Sequence, residues 1–107
     1  MTNFISTGST YWISDEEIQI LEKNATNGDK NSAFKIYQYH MFVSLDQDLE
    51  FKWLEIAAKN GHPIAQSNLA DLFFTQGNKE KAIFWAKKAY RNGAKLPDEL
   101  KILININ

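Results

Sequence analysis

A chain of 107 residues with 44% apolar and 23% charged residues has the balance of one small globular domain, and this excludes wholesale disorder. It contains no cysteine, which removes disulfides, thiol nucleophiles and thiolate metal sites and fits a reducing cytosol, so a cytoplasmic location is expected. The net charge of −1 conceals an asymmetry, because residues 1–56 hold nine acids and four bases while residues 57–107 hold four acids and eight bases.

No stretch reaches the roughly 18 consecutive apolar residues of a membrane span. Residues 1–13 hold no basic residue and no long apolar run, so a secretory signal is not expected there. They read as an N-terminal arm whose Phe4, Tyr11 and Trp12 need a surface to lie on. The domain proper spans residues 14–107.

Ser14-Asp15-Glu16-Glu17 has a capping-box pattern, with Glu17 able to reach back to the Ser14 N–H. It opens a helix that runs to Asn27, with Ile18, Leu21 and Ala25 inward and Gly28 as its stop. A second helix is predicted from Lys30 to Val43, with Ala33, Phe34, Tyr37 and Met41 on one stripe. Ser44-Leu45-Asp46-Gln47 opens a third, which ends at Asn60-Gly61. Its inner stripe is Leu49 or Glu50, Trp53, Leu54, Ala57 and Ala58. Pro63 suits the first turn of a fourth helix, which carries Ile64, Leu69, Ala70 and Phe73 and stops near Gln76-Gly77. Asn78 can cap a fifth, with Ala82, Trp85, Ala86 and Ala89 inward. A short helix from Asp98 to Ile104 follows Asn92-Gly93 and Pro97. No strand is expected.

The Asn-Gly pairs at 27–28, 60–61 and 92–93 recur at intervals of 33 and 32 residues. A fixed period in this range marks stacked helical hairpins. Counting back from each glycine aligns Trp53 with Trp85 and Ala57 with Ala89. A small side chain lets two helices approach, and a large aromatic fills the gap beside it. The pattern Trp-x-x-x-Ala-x-x-x-Gly resembles the second helix of Sel-one-like repeats, which are related to tetratricopeptide repeats. Lys81-Ala82, Trp85, Lys88-Ala89 and Gly93 follow that pattern, and Trp53, Ala57-Ala58 and Gly61 match it in part. Ala65, Leu69, Ala70 and Phe73 fit the family's first helix, with Ala33, Tyr37, Gln38 and Met41 as the earlier counterpart. Gln38 is bulky where the family has a small residue, and Glu50 replaces the alanine that corresponds to Ala82. The resemblance covers roughly residues 14–104. It implies an all-α, right-handed α-α superhelix of about two helical-hairpin repeats plus capping helices.

The resemblance also implies a function: a noncatalytic module that binds another protein. In such stacks the first helix of each pair lines the concave face. Its outward positions here are Lys35, Tyr39 and Phe42, then Ile64, Ser67, Asp71 and Phe74, and these form the expected protein-binding site. Ile5, Tyr11 and Trp12 are candidates for filling that groove from the N-terminal side. The alternative reading is a small bacterial immunity protein that neutralises a cognate toxin by direct binding.

Other chemistries lack equipment in the sequence. His40 and His62 are the two histidines, and neither has a neighbouring nucleophile or carboxylate spacing for catalysis. His62 precedes Pro63 and reads as a surface turn residue. Asp46 and Asp48 lack calcium-loop spacing, and the glycines are isolated helix stops rather than a phosphate loop. Lys87, Lys88, Arg91 and Lys95 crowd one helix end, where cations complement the helix dipole. No cofactor, metal, membrane or small-molecule substrate is expected, nor a nucleic-acid partner.

Overall fold

The computed structural model describes residues 10–105, and among these the chain is all helical. The elements are α1 (Asp15–Thr26), α2 (Lys30–Tyr39), a wider five-residue turn (His40–Ser44), α3 (Gln47–Lys59), α4 (Pro63–Thr75), α5 (Lys79–Arg91) and α6 (Asp98–Leu103). No helix is long and apolar enough to cross a membrane among the described residues. Phe4 and Ile5, two of the expected arm residues, lie outside the described residues.

Short polar caps begin the helices. Ser14 Oγ, Asp46 Oδ1 and Asn78 Oδ1 each accept the backbone N–H three residues on, at 3.2, 3.1 and 3.2 Å. Each satisfies one of the donors a helix start leaves unpaired. Asp29 caps α2 by accepting from Asn31 N, and its other oxygen accepts the Ser32 hydroxyl at 2.7 Å. That hydroxyl is the main cause holding the Asp29 carboxyl below its usual range. Glu17, expected to close a capping box, instead accepts Lys35 Nζ of α2 at 3.2 Å. The longer reach of its side chain spans two helices.

α1, α3, α4 and α5 end alike. The N–H after the glycine bonds five residues back: Asp29 to Asn24, His62 to Ala57, Asn78 to Phe73 and Ala94 to Ala89, at 2.8–3.0 Å. This bond needs the preceding residue in a left-handed conformation, and Gly61 and Gly93 supply φ of +103° and +92°. A Cβ built on either would meet nothing within 4 Å. Backbone conformation, rather than crowding, therefore requires glycine there.

The predicted second helix extended to Val43, but regular α-helix stops at Tyr39. The chain continues as a π-type turn, with one more residue between bonded groups than an α-turn. His40 Nδ1 and Ser44 Oγ, 2.8 Å apart, tie its ends together. Leu45 then adopts φ +56° and turns the chain toward α3.

Successive helices pack on one another, α4 on α5 most extensively. Cross-helix contacts give their directions. Lys81 Nζ sits over the Phe73 ring while Asn92 Nδ2 donates to Gln66 Oε1, so α4 and α5 run in opposite directions. The core follows the predicted stripes of α3 and α5, namely Trp53, Leu54, Ala57 and Ala58, and Ala82, Trp85, Ala86 and Ala89. Ala57, Ala82, Ala86 and Ala89 have no exposed surface, as small residues at close helix approaches should. In α2 the buried set also takes Ile36, which lay outside the predicted stripe, and Phe34 and Met41 are only partly covered.

Two polar links join the helix ends. Asn60 Nδ2 donates to Ala25 O, the carbonyl near the end of α1, at 2.9 Å. Asn92 cannot copy that reach directly. Its Nδ2 donates to Gln66 Oε1 at 2.9 Å, and Gln66 Nε2 donates to Ala58 O at 3.0 Å. Gln66 is 2% exposed, and its amide is satisfied at both ends, as a buried polar group must be.

Candidate protein-binding groove along α4

α4 starts where Pro63 fixes φ and His62 supplies the cap, its Nδ1 accepting from Ala65 N at 3.3 Å. That acceptance requires a lone pair on Nδ1, hence a neutral ring with its proton on Nε2. Burial first, then the nearby Lys30, pushes the His62 pKa down and keeps the ring neutral. The same ring stacks on Phe34 of α2, with centroids 4.0 Å apart and planes at 12°. His62 was expected in a surface turn. It is instead half-covered and joins α2 to the start of α4.

From this start, one side of α4 faces two hollows. The first, about 770 Å³, lies between Ile64 and Ser67 on one wall and Ala94, Lys95, Leu96 and Pro97 on the other. The second, about 370 Å³, is bounded by Asp71 and Thr75 of α4, Tyr37 and Met41, and Glu50 of α3. Asn68 stands between them and lines both, so the two hollows adjoin along the helix and together form the candidate groove. Its Nδ2 donates to Tyr37 Oη at 3.3 Å, and Tyr37 Oη donates to Met41 Sδ at 3.6 Å. Burial raises the Tyr37 pKa, against the Asn68 hydrogen bond, so the phenol stays a donor. One end of the groove is apolar with Lys95 at its edge; the other presents the carboxylates of Asp71 and Glu50.

Three of the seven residues expected at the binding site lie in this groove: Ile64, Ser67 and Asp71. Ile64 is 54% exposed, while Ser67 is nearly closed over at 8%. The other four sit elsewhere. Lys35 pairs with Glu17. Tyr39 is half-buried, its ring edge-on to His40 with centroids 5.2 Å apart. Phe42 stacks under Tyr11 at 4.5 Å, so one expected filler of the groove covers one expected binding ring. Trp12 remains exposed. Phe74 is half-buried against the core. His62, Asn68, Leu96 and Pro97 belong to the groove and were not singled out for it. Asn68 had a sequence signal, standing four residues after Ile64 and three before Asp71 on one helix side.

His40 is buried and its pKa is lowered, mainly by desolvation, with Asp46 and Glu22 opposing. Its partner Ser44 lies in the same turn, so the pair is accounted for as a tie across that turn. Among the described residues no group of three or more His, Cys, Asp or Glu side chains is placed to hold a metal ion.

No protein-family model matches the chain. No solved structure matches it. It is 33% identical over 95 residues to the uncharacterized protein YibG of Escherichia coli (strain K12), a match that takes in 82% of this chain and 62% of YibG. The chain thus spans less than two thirds of that relative's length.

Proposed function

We propose that the protein is a noncatalytic, cytoplasmic interaction module built from Sel-one-like helical repeats, and that it holds a segment of a partner protein in the groove along α4. The observation that carries this reading is the pair of hollows adjoining at Asn68, an apolar one beside Ile64, Leu96 and Pro97 and one edged by the carboxylates of Asp71 and Glu50. Ligand and peptide sites favour such concave, largely apolar surfaces with a few placed polar groups.

Three regularities support the repeat reading. The caps Ser14, Asp46 and Asn78 fall at intervals of 32 residues. The caps of the alternate helices, Asp29 and His62, are 33 apart, and burial follows that offset: Ser32 with Ala65, Ala33 with Gln66, Ile36 with Leu69, Tyr37 with Ala70 and His40 with Phe73. The pairing of Ala33 with Ala65 expected from sequence is thus one residue out of register. The links from Asn60 to Ala25 and from Asn92 through Gln66 to Ala58 also join equivalent carbonyls, two residues before successive Asn-Gly pairs. In this arrangement a further first helix would be capped near residue 95 and begin near residue 96. The chain instead stays non-helical to Pro97, and the space left against α4 is the apolar half of the groove.

The test is site-specific photo-crosslinking in cells, with a benzoylphenylalanine at Ile64 and a control at exposed Gln19. A binding groove yields one protein adduct from Ile64 and none from Gln19, and Asn68→Arg abolishes it without changing the melting temperature. Equal adducts from both positions would refute the assignment. An adduct to the product of an adjacent gene that is lethal without this chain would specify the toxin-neutralising version.

A further inference from the structure

α5 presents a second surface that the groove does not use. Lys87, Lys88 and Arg91 stand three, four and seven residues after Phe84, and Lys81 stands three before it. At 3.6 residues per turn all four flank Phe84 on one side of the helix. Phe84 is 53% exposed, a large apolar ring at the centre of a ring of cations. Among the described residues no carboxylate lies within 4.0 Å of any of these four cations, whereas Lys35 and Lys101 each have one. Two of them rest on aromatic faces instead: Lys88 Nζ is 5.4 Å from the Phe84 centroid and 5.9 Å from that of Trp85, and Lys81 Nζ is 5.2 Å from Phe73. None of Lys81, Phe84, Lys87, Lys88 and Arg91 lines the groove along α4.

We infer that this side of α5 is a docking surface for an acidic helical segment of a partner protein. The charge of the surface selects carboxylates, and the ring supplies the apolar anchor around which charged contacts gain strength by excluding water. The size of the patch selects a helix. Phe84 to Arg91 spans about 10 Å, two helical turns, which matches carboxylates repeating every three or four residues on a facing helix. A nucleic acid strand would run beyond this short patch.

The experiment uses the full chain and a fluorescein-labelled helical peptide of about 18 residues with one Leu and Glu at three- and four-residue spacings on one side. The comparators are the same peptide with Gln for Glu and a single-stranded DNA of equal length. Anisotropy titrations are run at roughly 50 and 200 mM salt. The acidic peptide should bind roughly tenfold more tightly than the Gln peptide, and both K87E/R91E and F84A should weaken it roughly tenfold. Ile64→Glu, in the other groove, should leave it unchanged. The double charge reversal touches exposed side chains alone, so it carries the test if F84A loosens the helix. Four results would overturn the inference: tighter binding of DNA than of the acidic peptide, an F84A variant that stays folded and binds normally, loss of binding in Ile64→Glu, or sedimentation showing that a second copy of the chain occupies the surface.

Discussion

Asn92→Ala should destabilise the protein in its natural background and have almost no effect in a Gln66→Met background. The Asn92 side chain donates one hydrogen bond, to Gln66 Oε1 at 2.9 Å. Asn92→Ala leaves the side-chain carbonyl of buried Gln66 without its donor, and an unpaired buried acceptor costs about 1–3 kcal/mol, so the substitution should cost about that much. Gln66→Met keeps the length and most of the volume of the side chain but removes both its bonds, to Asn92 and to Ala58 O. The single effect of Gln66→Met is poorly diagnostic, because added apolar burial offsets the lost bonds. The double-mutant cycle avoids that problem. Once Gln66 is methionine, Asn92 has lost its acceptor and its removal should cost close to nothing. The coupling should therefore equal the whole Asn92 effect, about 1–3 kcal/mol. Urea unfolding followed by tryptophan fluorescence reads it, with a constant m-value as the check that all four proteins unfold as one cooperative unit. Additive effects would mean that the Asn92–Gln66 bond joins nothing energetically.

Asn60→Ala should cost about 0.5–1.5 kcal/mol, because Ala25 O keeps the Gly28 N–H, and should add independently to Gln66→Met, because the Asn60 amide reaches Ala25 O without a relay; a cycle measured by urea unfolding checks this. Gly61→Ala should cost about 1–2 kcal/mol, since φ is +103° there while the space around it is open; a normal urea midpoint would contradict the conformational argument. Ala89→Leu should cost about 1–3 kcal/mol by overpacking at a position with no exposed surface, measured the same way. Stability should also fall on acidification. His40 and His62 have folded pKa values lowered by burial, so as pH drops through the unfolded-state value near about 6.5 the unfolded chain binds more protons, and the loss continues down to the lower folded-state pKa. His62→Asn keeps a capping side chain without the titration, and its urea midpoint should drop less than the natural protein's between mildly alkaline and mildly acidic buffer.

The fold was legible wherever local chemistry decides it. Ser14 and Asn78 are good caps in isolation, and a glycine after asparagine stops a helix whatever lies nearby, whereas the opening expected at Ser44 falls at Asp46 because Ser44 closes the preceding turn. The inner stripes of α3 and α5 could be read from Trp53, Ala57, Trp85 and Ala89 because alternating large and small residues have few other uses at that spacing. Legibility failed where a distant residue decides. Gln66 reads as a solvent-facing helix residue, and its burial follows only from the carbonyl of Ala58 and the amide of Asn92 lying at its two ends. The wider turn at His40–Ser44 depends on a side-chain tie that periodicity does not encode.

The candidate site divides along the same line. Ile64, Ser67 and Asp71 could be placed on one side of α4 from helical spacing alone. Lys35 and Phe42 were placed by the same rule and went elsewhere, because Glu17 of α1 and Tyr11 reach across to them, while Tyr39 is half-buried beside its neighbour His40. In a stack of helices the first pair packs against the segment on its N-terminal side, whereas the last pair packs against the segment on its C-terminal side. Here the segment after Gly93 stays non-helical as far as Pro97 and lines the hollow against α4. The apolar hollow thus has α4 as one wall and the non-helical segment 94–97 as the other, and Leu96 and Pro97, which helical spacing does not predict, complete it.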